Sequence, residues 1–252
     1  MTAPVRTARR RPAMVALVVY TLQACLPGKR WIGALVPASA AILFGFIAST
    51  IDDTAARAFA DVAADSLFGL VMPVTCLVIG DAVLGSEVRS GTFTFTWMSP
   101  VPTWQITLAR WLGGSLASAG VLAIAFALAA VVAGDSGSAG AIALAAVFGA
   151  QAYVAVFLAI GCITKRAAVW SLAFVFIVER LLGANLSGIA QLTPSWVARS
   201  AFVGLTDAQE SLVREGIPHG TGALIRLCFI SAVALILTST KLRSLKLTGS
   251  SD

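Results

Sequence analysis

Few residues in this sequence have the types and spacing that enzyme chemistry requires. His219 is the single histidine among 252 residues, and no carboxylate cluster adjoins it that could complete a metal site or an acid–base pair. The chain also lacks the G-x-x-x-x-G-K-[ST] loop that binds the phosphates of ATP. Each cysteine lies in a separate apolar run, as expected for free, packed thiols: Cys25, Cys76, Cys162 and Cys228. We therefore predict no catalytic residue, metal or cofactor in this chain.

Five charged residues lie inside long apolar runs, where a charge costs about 2.5 to 3.5 kcal/mol and is for that reason a candidate for function: Asp81, Arg110, Glu179, Arg180 and Arg226. Asp81 and Arg110 lie near the ends of the two runs that flank residues 85–107, and a pair between them would tie those ends together. Hydration of Asp81 at the membrane surface is an equal alternative. Glu179 and Arg226 lie near the same end of two other runs, where a pair facing a central cavity would be functional. Snorkelling or local structural pairing would also account for them.

The elements that hold these residues are predicted to be membrane helices. Hydrophobic residues make up 58% of the chain and charged residues only 12%, which is more apolar than one water-soluble core could bury. Several runs reach the roughly 20 apolar residues that a helix needs to cross a bilayer, whereas membrane strands would be short and alternating. The net charge of +6 comes from the ends of these runs, without the interleaved aromatics of a nucleic-acid surface. The sequence therefore predicts an all-α integral membrane protein that contacts the lipid bilayer and no nucleic acid.

We predict one transmembrane domain over residues 1–252, with both termini in the cytoplasm. Its six predicted spans are 32–51, 66–84, 108–133, 140–163, 167–183 and 222–240. This topology puts most of the 18 lysines and arginines on the cytoplasmic side and most acidic residues outside, as the positive-inside rule requires. Residues 184–221 then form an outer loop, whose apolar content predicts short helices resting on the membrane. The expected location is a plasma membrane, such as a bacterial inner membrane.

A short apolar run with a basic start precedes the first span. It could be a cleaved signal peptide, but Lys29 and Arg30 follow the run at once and would hinder export. Pro12 can open a helix and Gly28 can end it, and the residues between them are too few to cross a membrane. We predict an amphipathic helix over residues 12–27 that lies in the membrane interface.

Two further patterns concern helix shape and packing. Pro73 stands in the middle of the second predicted span and can kink it. Gly114 and Ser118 are spaced by four residues in the third span, which lets helices approach closely. We interpret the second pattern as packing and not as a ligand site.

The most polar stretch between two apolar runs is GSEVRSGTFTFTWMSPVPTWQITLAR, residues 85–110. The alternation of threonine with aromatics over residues 92–97 favours a strand, but a lone strand would leave its backbone groups unpaired. A helix is the better prediction, because Ser86 can cap it and Glu87 suits its positive end. Pro100 and Pro102 would end it. The sequence thus predicts a bounded cytoplasmic helix between the second and third spans.

This stretch resembles the signature of membrane permeases of the type-2 ABC exporter family. In that signature a glutamate, a basic residue and Gly-Thr are followed by a hydrophobic helix and then Ser/Thr-Pro-Val. The residues in register are Glu87, Arg89, Gly91, Thr92, Ser99, Pro100 and Val101. The whole chain is similar in its interfacial helix, six spans, long outer loop and basic tail. The sequence departs from the pattern in two places. Phe93, Phe95 and Trp97 replace the usual leucines, and Ala109-Arg110 replaces Gly-Lys.

The resemblance implies that residues 85–103 form a coupling segment that docks into a separate ABC ATPase subunit. The docking residues would be Glu87, Arg89, Gly91, Thr92, Phe93, Trp97 and Pro100. ATP and magnesium would then bind to the partner ATPase, and a second permease, either another copy or a related chain, would complete the exporter. Mostly uncharged spans favour an amphipathic or hydrophobic cargo such as a drug, an antibiotic or a lipid, and with it multidrug efflux and antibiotic resistance.

Two functions of other classes stay open on the sequence. The chain could be a non-transporting accessory subunit that uses the same helix only for docking. It could also be a proton-driven secondary transporter, although no internal repeat of the kind found in many such proteins is evident.

Overall fold

The structure, a computed structural model, describes residues 13–25, 30–51, 54–80, 83, 101–164, 166–206, 212–213 and 216–244. Within these ranges the protein is helical and contains no strand, so the all-α prediction is confirmed. The helices are α1 (Ala13–Cys25), α2 (Arg30–Ser49), α3 (Ala55–Gly80), α4 (Thr103–Val132), α5 (Ala139–Ile163), α6 (Ala167–Asn185), α7 (Ser187–Ala190), α8 (Pro194–Thr206) and α9 (Thr221–Ser244).

Five of these helices are long and apolar enough to cross a membrane: α3, α4, α5, α6 and α9. The protein is therefore embedded in a membrane. The apolar part of α2, Leu35–Ser49, is shorter, as is Met14–Cys25 in α1. A sixth crossing by α2, the interfacial position of α1 and the cytoplasmic placement of both termini stay predictions.

The start of α3 is the largest difference from the predicted boundaries. The apolar pattern places it at residue 66, whereas the helix begins at Ala55. Three charged residues, Arg57, Asp61 and Asp65, interrupt the pattern, but all of them are exposed. Phe59 on the other face of the same turns is fully buried. Hydropathy fails here because it averages over both faces of an amphipathic helix.

Two helices contain a π-helical stretch, Ala63–Val71 in α3 and Phe174–Leu182 in α6. The first one ends just before Pro73, where the sequence predicts a kink. Pro73 has no N–H to donate to the carbonyl of Gly69 four residues earlier. A wider helical turn beside such a missing hydrogen bond is a known way to relieve it.

The centre of the bundle is formed by α4 and α5, and small residues allow its helices to touch. A Cβ added to Gly45 of α2 would lie 2.4 Å from the carbonyl oxygen of Ala129 in α4. One added to Gly114 would lie 2.7 Å from the side chain of Val83. Ser118 is fully buried and its hydroxyl donates to the carbonyl of Gly114 at 2.9 Å. The prediction that Gly114 and Ser118 serve close packing is confirmed.

The prediction of short helices within residues 184–221 is confirmed for the described residues by α7 and α8. Helix α8 packs against α5 and α9, and its position relative to the membrane surface stays a prediction. Phe202 is 1% exposed, and its ring lies 6.2 Å from that of Phe59 and 5.8 Å from that of Phe68. Two of the apolar residues that suggested a membrane contact, Val197 and Phe202, are part of the protein core, whereas Leu192 is 63% exposed.

Candidate functional site at the two ends of helix α3

The predicted coupling residues lie outside the described part of the chain. These are Glu87, Arg89, Gly91, Thr92, Phe93, Trp97 and Pro100, together with Asp81 just before them. What the structure does describe are the residues that flank this segment. The candidate site is therefore built from the side chains that bind two places, one within α3 and one just after it. We call them the Asp65 end, which lies within α3, and the Val83 end, three residues after α3.

Arg110 of α4 holds the Val83 end. Its side chain is 1% exposed, and Nη1 donates to the backbone oxygen of Val83 at 3.2 Å. The guanidinium also lies over the ring of Tyr20 in α1, 5.2 Å from its centre, which favours a cation. Val83 and Arg110 stand on opposite sides of residues 84–102. The predicted pair of Arg110 with Asp81 stays a prediction, because Asp81 lies outside the described residues. What the structure shows is a hydrogen bond from Arg110 to the backbone oxygen of Val83.

Other contacts brace the start of α4. Gly113 lies directly against α1, because an added Cβ would be 2.6 Å from the Cβ of Thr21. The indole N–H of Trp111 donates to the backbone oxygen of Gln151 in α5 at 3.0 Å. The first turns of α4 are therefore joined to α1, α3 and α5 at once, and a displacement of one requires the others to adjust.

Arg180 of α6 holds the Asp65 end through backbone oxygens. Its Nε donates to the carbonyl of Gly69 at 3.2 Å and its Nη2 donates to the carbonyl of Asp65 at 2.9 Å. Pro73 has no N–H to donate to the carbonyl of Gly69, and Arg180 donates to this carbonyl instead. A Cβ on residue 69 would lie 2.5 Å from Nη2. Glycine at this position is what lets the guanidinium reach the helix backbone.

Arg199 of α8 reaches the same place from another direction. Its Nη1 lies 3.0 Å from Oδ1 of Asp65, and its guanidinium lies 5.1 Å from the ring centre of Trp196. The side chain of Arg199 is only 12% exposed, against 75% for Asp65. Burial lowers the pKa of the Arg199 guanidinium, and the charge of Asp65 opposes that shift. A cavity of about 30 Å³ adjoins this pair, lined by Ala64, Asp65, Gly69, Arg180, Ser195, Trp196 and Arg199.

Glu179 lies next to this cluster but points into the bundle, where it is 2% exposed. The hydroxyl of Tyr153, itself fully buried in α5, donates to Oε2 of the carboxyl group. Ser195 of α8 lies near the same carboxyl. The indole N–H of Trp196 donates to the backbone oxygen of Glu179 at 3.2 Å. Two helices, α5 and α8, therefore position one buried carboxyl group.

The predicted pair of Glu179 with Arg226 is not formed. Nη2 of Arg226 donates to Oε1 of Gln191 at 3.1 Å, while the carboxyl of Glu179 bonds to Tyr153. Glu179 lies near the C-terminal end of α6 and Arg226 near the N-terminal end of α9. The carboxyl of Glu179 is bonded instead to a neutral donor, the hydroxyl of Tyr153 in α5.

Several site residues escape reasoning from the sequence. They are Asp65, Tyr153, Ser195, Trp196 and Arg199. Tyr153 could have been singled out as a hydroxyl inside an apolar span, and Trp196 with Arg199 as a pair three residues apart on one helix. The spacing of residues in the sequence does not indicate that α8 contacts α6, because that contact depends on how the segment between α6 and α9 folds.

No protein-family model matches this chain, and no curated protein matches it either.

Proposed function

We propose that this chain is the membrane permease subunit of an ATP-binding cassette exporter. It would move an amphipathic or hydrophobic small molecule out of the cell, using ATP hydrolysed with magnesium by a separate ATPase subunit. The full assembly would contain a second permease, and α2 would supply the sixth crossing of a plasma membrane. The exporter signature in residues 85–110 is the sequence support for this proposal.

The observation that carries the proposal is the tie between Arg110 and Val83. A docking segment can transmit force only if its flanks are held by the helices that must move. Arg110 joins the two flanks through a buried hydrogen bond of 3.2 Å, and α1 packs against the same turns of α4 through Gly113. A push on residues 85–103 would therefore move α1, α3 and α4 together.

The test is co-purification with a stand-alone ABC ATPase, which this proposal predicts in a neighbouring reading frame. Replacing Glu87 and Arg89 together by alanine should abolish the complex, because both would lie on the docking helix. The matched control replaces Arg57 and Asp61 by alanine. That pair carries the same two charge types on exposed positions near the other end of α3, and the complex should survive. If the ATPase still binds after residues 85–97 are replaced by a polar linker, the coupling assignment is wrong.

A proton-driven transporter is the second candidate, and the buried Glu179 is the observation that favours it. The two functions separate in a transport assay with a hydrolysis-dead ATPase. The exporter should stop, whereas a proton-driven carrier should continue until the proton gradient is collapsed. An ATPase complex that forms without transporting any of a broad compound panel would favour an accessory subunit.

A further inference from the structure

Glu179 carries a carboxyl group in the interior, and no cationic side chain among the described residues is bonded to it. It lies in the membrane-spanning helix α6 at 2% exposure, where an ionised carboxylate is costly unless it is paired. Two arginines are near, but their hydrogen bonds go elsewhere. Arg180 donates to the carbonyls of Gly69 and Asp65, and Arg199 pairs with the Asp65 carboxylate. Binding a proton is the remaining way for this carboxyl to become neutral.

The groups that face Glu179 come from three other helices. Tyr153 of α5 donates its hydroxyl to Oε2, and Ser195 of α8 lies near the carboxyl. Cys76 of α3 is fully buried and lies near both Tyr153 and Glu179. On α6 itself, Arg180 acts on the carboxyl through space. Within the described part of the chain, Oε1 of Glu179 is buried without a hydrogen-bond partner, and it is the position for a proton.

A route to the solution begins at Ser195. This residue both lies near the carboxyl of Glu179 and lines the cavity at the Asp65 end. The cavity holds about 30 Å³, and a water molecule needs about 10 to 15 Å³ together with polar partners. Asp65, which is 75% exposed, lines the same cavity. A hydroxyl can accept a proton on one side and donate one on the other, so Ser195 can connect the buried carboxyl to cavity water.

We propose that Glu179 is a proton-binding site within the membrane bundle, and that its proton exchanges with the solution through Ser195 and the cavity at the Asp65 end. The site belongs to this chain alone. It can therefore be tested on the purified protein without an ATPase, and its failure would leave the exporter proposal untouched.

The first experiment is infrared difference spectroscopy of the purified protein, comparing the wild type with Glu179→Gln. We expect the C=O stretch of a protonated carboxylic acid in the wild type and its loss in the variant. Tyr153→Phe should keep the band but shift it, because Oε2 loses its donor. Asp65→Asn is the matched carboxyl control and should leave the band in place. If Glu179→Gln fails to fold, the shift in Tyr153→Phe carries the test.

The second experiment measures how fast the same band shifts after transfer to D₂O. Ser195→Ala should slow this exchange several-fold, while Ser187→Ala, an exposed serine in the same outer segment, should not. Absence of a protonated band at every pH at which the protein stays folded would overturn the site. Exchange at the wild-type rate in Ser195→Ala would overturn the route.

Discussion

The Val83 end and the Asp65 end are held by the same chemistry in different surroundings. At the Val83 end Arg110 donates to a backbone oxygen just after α3, and at the Asp65 end Arg180 donates to backbone oxygens within α3. Arg110 is 1% exposed, whereas Arg180 is exposed. A hydrogen bond from a charged group strengthens when water is excluded and weakens when water competes. We infer that the Val83 end is tightly joined and that the hydrogen bonds at the Asp65 end are easily exchanged.

A second difference is what holds each end apart from the arginines. At the Asp65 end, α8 places Phe202 between Phe59 and Phe68 of α3. At the Val83 end the neighbours of Arg110 include Tyr20, which is more than half exposed. Apolar packing stabilises both ends, since Val83 is itself buried in a cluster with Ile79 and Leu158, but only the Val83 end adds a hydrogen bond from a buried arginine. The comparison shows that exposed charged side chains do not mark the contacts that stabilise the bundle most.

The largest expected effect is that of Phe202→Ala. Removing a fully buried aromatic ring costs about 3 to 5 kcal/mol of unfolding free energy, because α8 then leaves a cavity against α3. Thermal or denaturant unfolding in detergent would measure it. Leu192→Ala, in the same outer segment but 63% exposed, should cost less than about 0.5 kcal/mol. Equal effects of the two changes would show that α8 does not anchor the Asp65 end.

Arg110→Met is expected to come second. The change keeps an apolar side chain of similar length but leaves the buried oxygen of Val83 without this donor, which costs about 1 to 3 kcal/mol. The unfolding free energy would be compared with that of Arg243→Met. Arg243 is exposed and donates to Thr103 at 3.3 Å, so its loss should cost less than about 0.5 kcal/mol. If Arg110→Met also costs less than about 0.5 kcal/mol of unfolding free energy, the Val83 end is not held more tightly than the Asp65 end.

Gly69→Ala should have a smaller effect and is best measured against Gly120→Ala. Alanine favours a helix over glycine by about 1 kcal/mol, and nothing lies within 4 Å of a Cβ added to Gly120. Gly120→Ala should therefore stabilise the protein. In Gly69→Ala that gain is offset, because the new Cβ displaces the guanidinium of Arg180 from the carbonyls of α3. If both variants gain equally in unfolding experiments, Arg180 contributes nothing to the Asp65 end.

The smallest effect is expected for Asp65→Asn. The change removes an ion pair whose acidic partner is 75% exposed, and such pairs contribute about 0 to 1 kcal/mol. Salt should reduce the difference from the wild type further, because it screens exposed charges. Unfolding at low and high ionic strength would measure this. A cost above about 2 kcal/mol that persists in high salt would contradict the weak ion pair that we infer at the Asp65 end.

The predicted spans came close to the observed helices where apolar residues surround the whole helix. Residues 140–163 against Ala139–Ile163 and 167–183 against Ala167–Asn185 are examples. The apolar pattern did not show that α3 begins before residue 66 or that α8 packs against α5 and α9. In both helices one face is polar and the other face is buried. Average hydropathy cannot separate those faces, and burial of the second face depends on partners far away in sequence.

The sequence by itself determined that this is a helical membrane protein, because its apolar runs are long and unbroken, as membrane helices require, and not the short alternating segments of a membrane barrel. It also determined the polar, proline-bounded segment between α3 and α4 and its resemblance to an exporter signature. Only the tertiary structure decided which polar groups meet. Glu179 bonds to Tyr153 instead of pairing with Arg226, and Arg110 serves Val83. These contacts join helices distant in sequence, and packing of the small residues between helices sets their distance.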